Sequence, residues 1–130
     1  MAARELPEFT AYCLELLQGI GPGLARRMFG GWGISVDGLT FAIIADLGDG
    51  ERLWLKTDDD TLPAFRDAGC PRFVYQAKGK DMSMHYHAAP EDAMESPTLM
   101  LPWARLAWEA ALRAQARPTN KRRPTRKSSK

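Results

Sequence analysis

The sequence predicts an α+β protein of two layers: an antiparallel five-stranded sheet packed on helices, in the order α-β-β-β-α-β-β-α. Three observations predict it. The spacing of apolar residues changes from about 3.6 to 2 and back along the chain. Strands come in runs rather than alternating with helices, which argues against a parallel doubly wound sheet. Asp37-Gly38 and Gly48-Asp49-Gly50 join the first three strands so tightly that they must be antiparallel.

The elements follow in order. Phe9, Tyr12, Cys13, Leu16, Leu17 and Ile20 form one apolar stripe of a helix that begins at Glu8. Gly19, Gly21, Pro22 and Gly23 stop it, and Leu24–Arg27 reads as a short helical turn. Met28–Val36, Leu39–Leu47 and Arg52–Thr57 read as strands. The first contains Gly30-Gly31-Trp32-Gly33, glycines that mark a bulge, a bend or a close backbone approach. In the second, Leu39, Phe41, Ile43 and Ala45 share a face. In the third, Leu53 and Leu55 face one way, Trp54 and Lys56 the other.

Thr57-Asp58-Asp59-Asp60 opens a helix that stops at Gly69. The acids suit a helix start, where free N–H groups and the positive end of the dipole meet them. They lack the oxygen-rich spacing of a calcium loop. Strands Arg72–Gln76 and Met82–His87 flank a turn at Ala77–Asp81. A proline-bounded segment, Pro90 to Pro97, leads to a helix over Leu99–Arg113 with Leu99, Trp103, Leu106 and Ala110 as its stripe.

Composition narrows the function. The 130 residues, 45% hydrophobic and 26% charged, suit one globular domain and not two. No apolar run approaches the ~20 residues of a membrane span, and the N-terminus has no secretory leader, so a cytoplasmic protein is expected. The net charge of +2 conceals a division. Residues 117–130 hold seven basic residues and no acid: Arg117, Lys121, Arg122, Arg123, Arg126, Lys127 and Lys130. Residues 1–116 hold eleven basic and sixteen acidic residues, a net of −5. The reading is an acidic domain over 1–116 and a disordered basic tail over 117–130. If all seven tail charges met duplex DNA, log K would fall with log salt at a slope of about −6.

Other candidates are weaker. Cys13 and Cys70 match no zinc or CxxC spacing and read as structural thiols. His85 and His87 share a strand face, where two imidazoles suit zinc or copper if a third ligand exists; the alternative is a solvated pair. Arg26-Arg27 and Lys78-Gly79-Lys80 are basic positions suited to phosphate. Gly30, Gly31, Trp32 and Trp54 are the expected protein-contact surface, Trp54 as an outward aromatic without cover. No P-loop, nucleophile–base pair or cofactor motif is present, so no catalytic residue, cofactor or small-molecule substrate is assigned.

Ala25-Arg26-Arg27-Met28-Phe29-Gly30-Gly31-Trp32-Gly33, Asp37-Gly38, Phe41-Ala42 and Leu53-Trp54-Leu55-Lys56 together resemble the N-terminal domain of the TfoX (Sxy) competence regulators. The resemblance continues through Gly69, Phe73-Val74-Tyr75, Lys78-Gly79-Lys80, Tyr86, Pro90-Glu91 and Leu101-Pro102-Trp103, covering about residues 8–115. It implies a secretion-chaperone-like two-layer fold and a bacterial, cytoplasmic, non-enzymatic protein. It also implies co-regulation of transcription for DNA-uptake genes. Full-length relatives carry a second, C-terminal domain; this chain ends in the basic residues and reads as a single-domain member. The expectation is a regulatory domain with a protein partner in transcription and non-specific nucleic-acid affinity from the tail, Arg26 and Arg27. The alternative is a chaperone-like, homodimeric interaction module with no nucleic-acid role.

Overall fold

A computed structural model describes residues 6–28, 30–48, 50–77 and 79–116. Phe29, Lys78 and the tail residues 117–130 lie outside the described residues. Helix α1 (Glu8–Leu16) is followed by strands β1 (Leu24–Met28), β2 (Gly31–Val36), β3 (Leu39–Asp46) and β4 (Glu51–Lys56), then α2 (Leu62–Asp67). Strands β5 (Arg72–Ala77) and β6 (Lys80–Ala88), a 3-10 turn (Glu91–Glu95) and α3 (Pro97–Ala116) complete the chain. The sheet is antiparallel with order β1-β2-β3-β4-β6-β5.

The architecture is α+β as expected, with six strands rather than five. The extra strand is β1. Leu24–Arg27 was expected as a helical turn, because its residues favour helices; instead it pairs with β2, Met28 facing Gly31 and Arg26 facing Gly33. The expected strand Met28–Val36 is therefore divided, Met28 ending β1 and Gly31 beginning β2, and Gly30 takes φ +76° between them. Asp37 (φ 52°) and Gly38 (φ 80°) form the hairpin expected from their sequence. Asp46 orders the next turn, its Oδ1 accepting the Gly48 and Gly50 amides at 2.8 and 3.1 Å.

All three helices lie on one face of the sheet. The main core there joins Cys13 and Leu16 of α1, Phe65 of α2 and Met100, Ala104, Ala107 and Ala111 of α3 to Ile34, Phe41, Ile44, Leu53 and Leu55. Two details depart from the sequence pattern. Ile34 faces Ala42 while Ser35 faces Thr40, so β3 carries one extra residue there, Phe41. This bulge shifts the alternation: Phe41, Ala42 and Ile44 all join the main core, and Ile43 and Ala45 turn to the other side. In α3 the buried residues are Met100, Ala104, Ala107, Ala110 and Ala111; of the expected stripe Ala110 is buried and Trp103 and Leu106 pack against the core, whereas Leu99 is half exposed. Alanines let the helix lie close to the sheet. Trp103 and Trp108 pack edge-on against Phe65 and Phe41, with ring centroids 5.0 and 5.5 Å apart.

Ser96 starts α3, its Oγ accepting the Leu99 amide at 3.2 Å. Pro102 lies beyond the first turn and removes one helical hydrogen bond. Asp58 organises the approach to α2: its carboxylate accepts the amides of Asp60 and Thr61. It also takes a bidentate grip from Arg113, at 2.7 and 3.0 Å, which ties the last turns of α3 to the end of β4.

Candidate functional site

The face of the sheet that the helices leave open is the most distinctive surface of the domain. Among the described residues its apolar centre, Ile43, Ala45, Trp54, Phe73, Tyr86 and Ala88 with Met28 and Met84, is built from the strands. Alternation and register place its basic members. Arg26 lies two residues before Met28 and opposite Gly33. Arg52 faces Ala45, and Lys56 faces Tyr86, its Nζ 5.2 Å from the ring centroid. Lys80 alternates onto the same face as Met84 and Tyr86, and is exposed. The strand acids Asp46 and Glu51 face one another and alternate to the other side.

Trp54 is on this face, as its alternation with Leu53 and Leu55 requires, but it is not an uncovered contact. It is 4% exposed, packs edge-on against Phe73 at 4.9 Å and donates its indole N–H to the Ala45 carbonyl at 3.3 Å. Its cover comes from strands distant in sequence. Tyr86 is likewise buried, and burial pushes its phenol up to about 12.

The expected contact residues of the glycine-rich stretch are mostly structural. A Cβ on Gly31 would stand 1.9 Å from the Ile44 carbonyl oxygen, so this glycine admits the backbone of β3 rather than a partner. A Cβ on Gly33 would meet the Met28 sulfur. Trp32 is half-buried on the helix side, with the Arg27 guanidinium 5.2 Å from its ring centroid. Adjacent in sequence, Arg26 and Arg27 thus point to opposite faces, and only Arg26 joins Lys80. Gly30 is exposed at the β1–β2 turn. Lys78 and the seven tail basics lie outside the described residues.

His85 and His87 share the helix-side face of β6 but make no ligand set. His87 is buried, its Nδ1 2.9 Å from Thr57 Oγ1. His85 is exposed, its Nδ1 3.4 Å from the Arg72 guanidinium, whose charge opposes a cation. Burial, Arg72 and His85, in that order, hold the His87 pKa below its usual value. Among the described residues, no three His, Cys, Asp or Glu gather to hold a metal. Cys13 and Cys70 are free buried thiols; burial and Glu51 push Cys13 up to about 12, and burial raises Cys70. These shifts suppress the thiolate and so disfavour reactivity.

A polar cleft of about 420 Å³ opens where β4 ends, lined by Lys56, Asp58, Asp60, His85, Arg113 and Ala114 among others. Arg113 occupies its acids: it holds Asp58 and stands 3.5 Å from Asp60. That bond draws the Asp58 carboxyl below its usual pKa. The cleft also marks where α3 ends, beside Lys56.

The TfoX N-terminal domain family matches residues 15–111. The chain belongs to that family. No curated protein matches the sequence. The TfoX N-terminal domain is associated with competence-related regulatory or binding roles and is not known for enzymatic activity. In this TfoX N-terminal domain Arg26, Arg27 and Met28 belong to β1 and Gly31 begins β2, where it serves the architecture of the pair. Among the described residues no helix is long and apolar enough to cross a membrane. Sequence reading missed Arg52 as a member of the open face; its position two residues before Trp54 was the available signal.

Proposed function

We propose that this TfoX N-terminal domain is a non-enzymatic transcription co-regulator of the competence type, working in the bacterial cytoplasm. Its basic C-terminal residues attract nucleic acid while the folded body engages a protein partner. One observation carries the reading: seven basic residues and no acid in 117–130, joined to a body of net charge −5. An acidic body gives long-range repulsion from phosphate, so affinity for nucleic acid falls to the tail and to locally basic surface.

A second reading, a homodimeric interaction module without a nucleic-acid role, draws on β1. That strand lies at one edge of the sheet and carries Leu24, 60% exposed. An open edge is a template for a further strand. Sedimentation velocity of the full chain, alone and with a 20-base-pair duplex, separates the two. The co-regulator reading expects a complex that contains DNA at moderate salt. A dimer that sediments unchanged when DNA is added contradicts it and supports the second reading.

A further inference from the structure

We infer that the open face of the sheet is a second nucleic-acid-binding surface, on which Arg26, Arg52, Lys56 and Lys80 contact separate phosphodiesters along the strand that the tail holds. The inference rests on the co-regulator reading and adds a site to it.

Charge segregation within the body is the first support. Its net charge is −5, yet among the described residues the charged strand positions that alternation gives this face, Arg26, Arg52, Lys56 and Lys80, are all basic. Spacing is the second. Neighbouring strands lie about 4.8 Å apart. Arg26 on β1 is three strands from Arg52 and Lys56 on β4, about 14 Å, and four strands from Lys80 on β6, about 19 Å. No single phosphate or carboxylate reaches cations so far apart; an extended polyanion does. Shape is the third. The apolar centre is already closed, Trp54 and Tyr86 being 4% and 7% exposed, and the exposed Leu24 and Tyr75 stand apart on the outer strands, so the centre offers no open apolar groove. This favours backbone contact over insertion of bases or of an apolar helix. Continuity is the fourth. Lys56 belongs both to this face and to the cleft lined by Ala114, two residues before the end of α3. The fourteen following residues can reach up to roughly 46 Å when extended, more than the span of the face. Tail and face can therefore hold one strand together.

The shared chemistry is the phosphodiester backbone, of duplex or single-stranded nucleic acid. The test uses the full chain and an Arg26→Gln/Lys80→Gln double variant, both sites being exposed. Fluorescence anisotropy follows a 20-base-pair duplex and a 20-mer of thymidylate across a salt series. Two lost contacts make the log K–log salt slope shallower by about 1.8 on duplex or about 1.4 on the single strand, and the nucleic acid whose slope changes by its full figure while the other's stays unchanged is the source. At 0.1 M salt the duplex figure corresponds to at most roughly 60-fold weaker binding. An Arg26→Lys/Lys80→Arg variant restores the slope if charge at these sites is the cause. An unchanged slope in the Gln variant, with binding retained, overturns this inference and leaves the tail reading standing. Absence of binding by the unmodified chain overturns both. Polyglutamate displacing neither nucleic acid supports it; polyglutamate binding as tightly as nucleic acid and losing affinity in the Gln variant overturns it in favour of an acidic protein.

Discussion

Replacing Gly31 by alanine tests whether the glycine pair of the β1–β2 hairpin is architectural. The added Cβ would stand 1.9 Å from the Ile44 carbonyl oxygen and 3.0 Å from its carbon, where real Cβ atoms essentially never come closer than 3.0 Å. Both atoms are backbone, so relief requires β2 and β3 to separate by more than 1 Å near the Trp32–Ile44 pair. Overpacking of this kind costs about 1–3 kcal/mol. Weakening one ladder hydrogen bond adds about 1 kcal/mol. The expected loss is about 2–4 kcal/mol, a large share of the ~5–15 kcal/mol that holds a domain together. Gly33→Ala is the control. Its Cβ would meet the Met28 sulfur at 2.2 Å, but a thioether can swing aside, so the expected loss is below about 1 kcal/mol. Urea unfolding followed by tryptophan fluorescence reads both. With a slope near 2 kcal/mol per molar, Gly31→Ala lowers the midpoint by about 1–2 M and Gly33→Ala by less than about 0.5 M. Equal midpoints for Gly31→Ala and the unmodified chain would refute the close-approach account.

Further outcomes follow from individual contacts. Thr10 is fully buried and its hydroxyl has no hydrogen-bond partner, so Thr10→Val raises stability by about 1 kcal/mol in the same urea assay. Asp58→Asn removes the charge that Arg113 grips while keeping an acceptor for Thr61; the partly solvated pair is worth about 1 kcal/mol at pH 7. Because Arg113 lowers the Asp58 pKa, that stability is present above the usual carboxylate range and lost as pH falls below about 4, where variant and unmodified chain converge. For His87, burial first and Arg72 second lower the folded pKa, so the unfolded chain takes up the proton first as pH falls below about 6.5. Urea midpoints therefore decrease between pH 7.5 and 5.5, and His87→Gln flattens that decrease.

Local signals were legible in the sequence where they are strong. Asp37-Gly38 specified its hairpin, and the alternation of Leu53, Trp54 and Leu55 placed each on its correct face. Features set by distant partners were not. Leu24–Arg27 is composed of helix formers and becomes a strand because β2 pairs with it. The Phe41 bulge depends on the register of two strands and leaves no mark in β3 alone. Trp54 reads as uncovered until Phe73, nineteen positions on, closes over it. The alanines of α3 are weak in hydropathy, so the expected stripe included Ala110 but not Ala104, Ala107 or Ala111, and took in Leu99, which is half exposed. Asp58 and Arg113 are 55 residues apart, and only the fold brings them together. At the candidate surface, Arg26 and Lys80 were identifiable as basic positions, whereas the split between Arg26 and Arg27 required the β1–β2 register.

The affinity of the basic tail for nucleic acid is the property on which a regulatory role for this domain most directly depends. Fluorescence anisotropy of a labelled duplex against the full chain and a chain ending at Ala116, from 50 to 200 mM salt, measures it. A steep slope is expected for the full chain, up to about −6 from the seven tail charges and steeper if the open face also engages, with a large loss of affinity on truncation. Equal binding by both chains, or binding by neither near physiological salt, would contradict it.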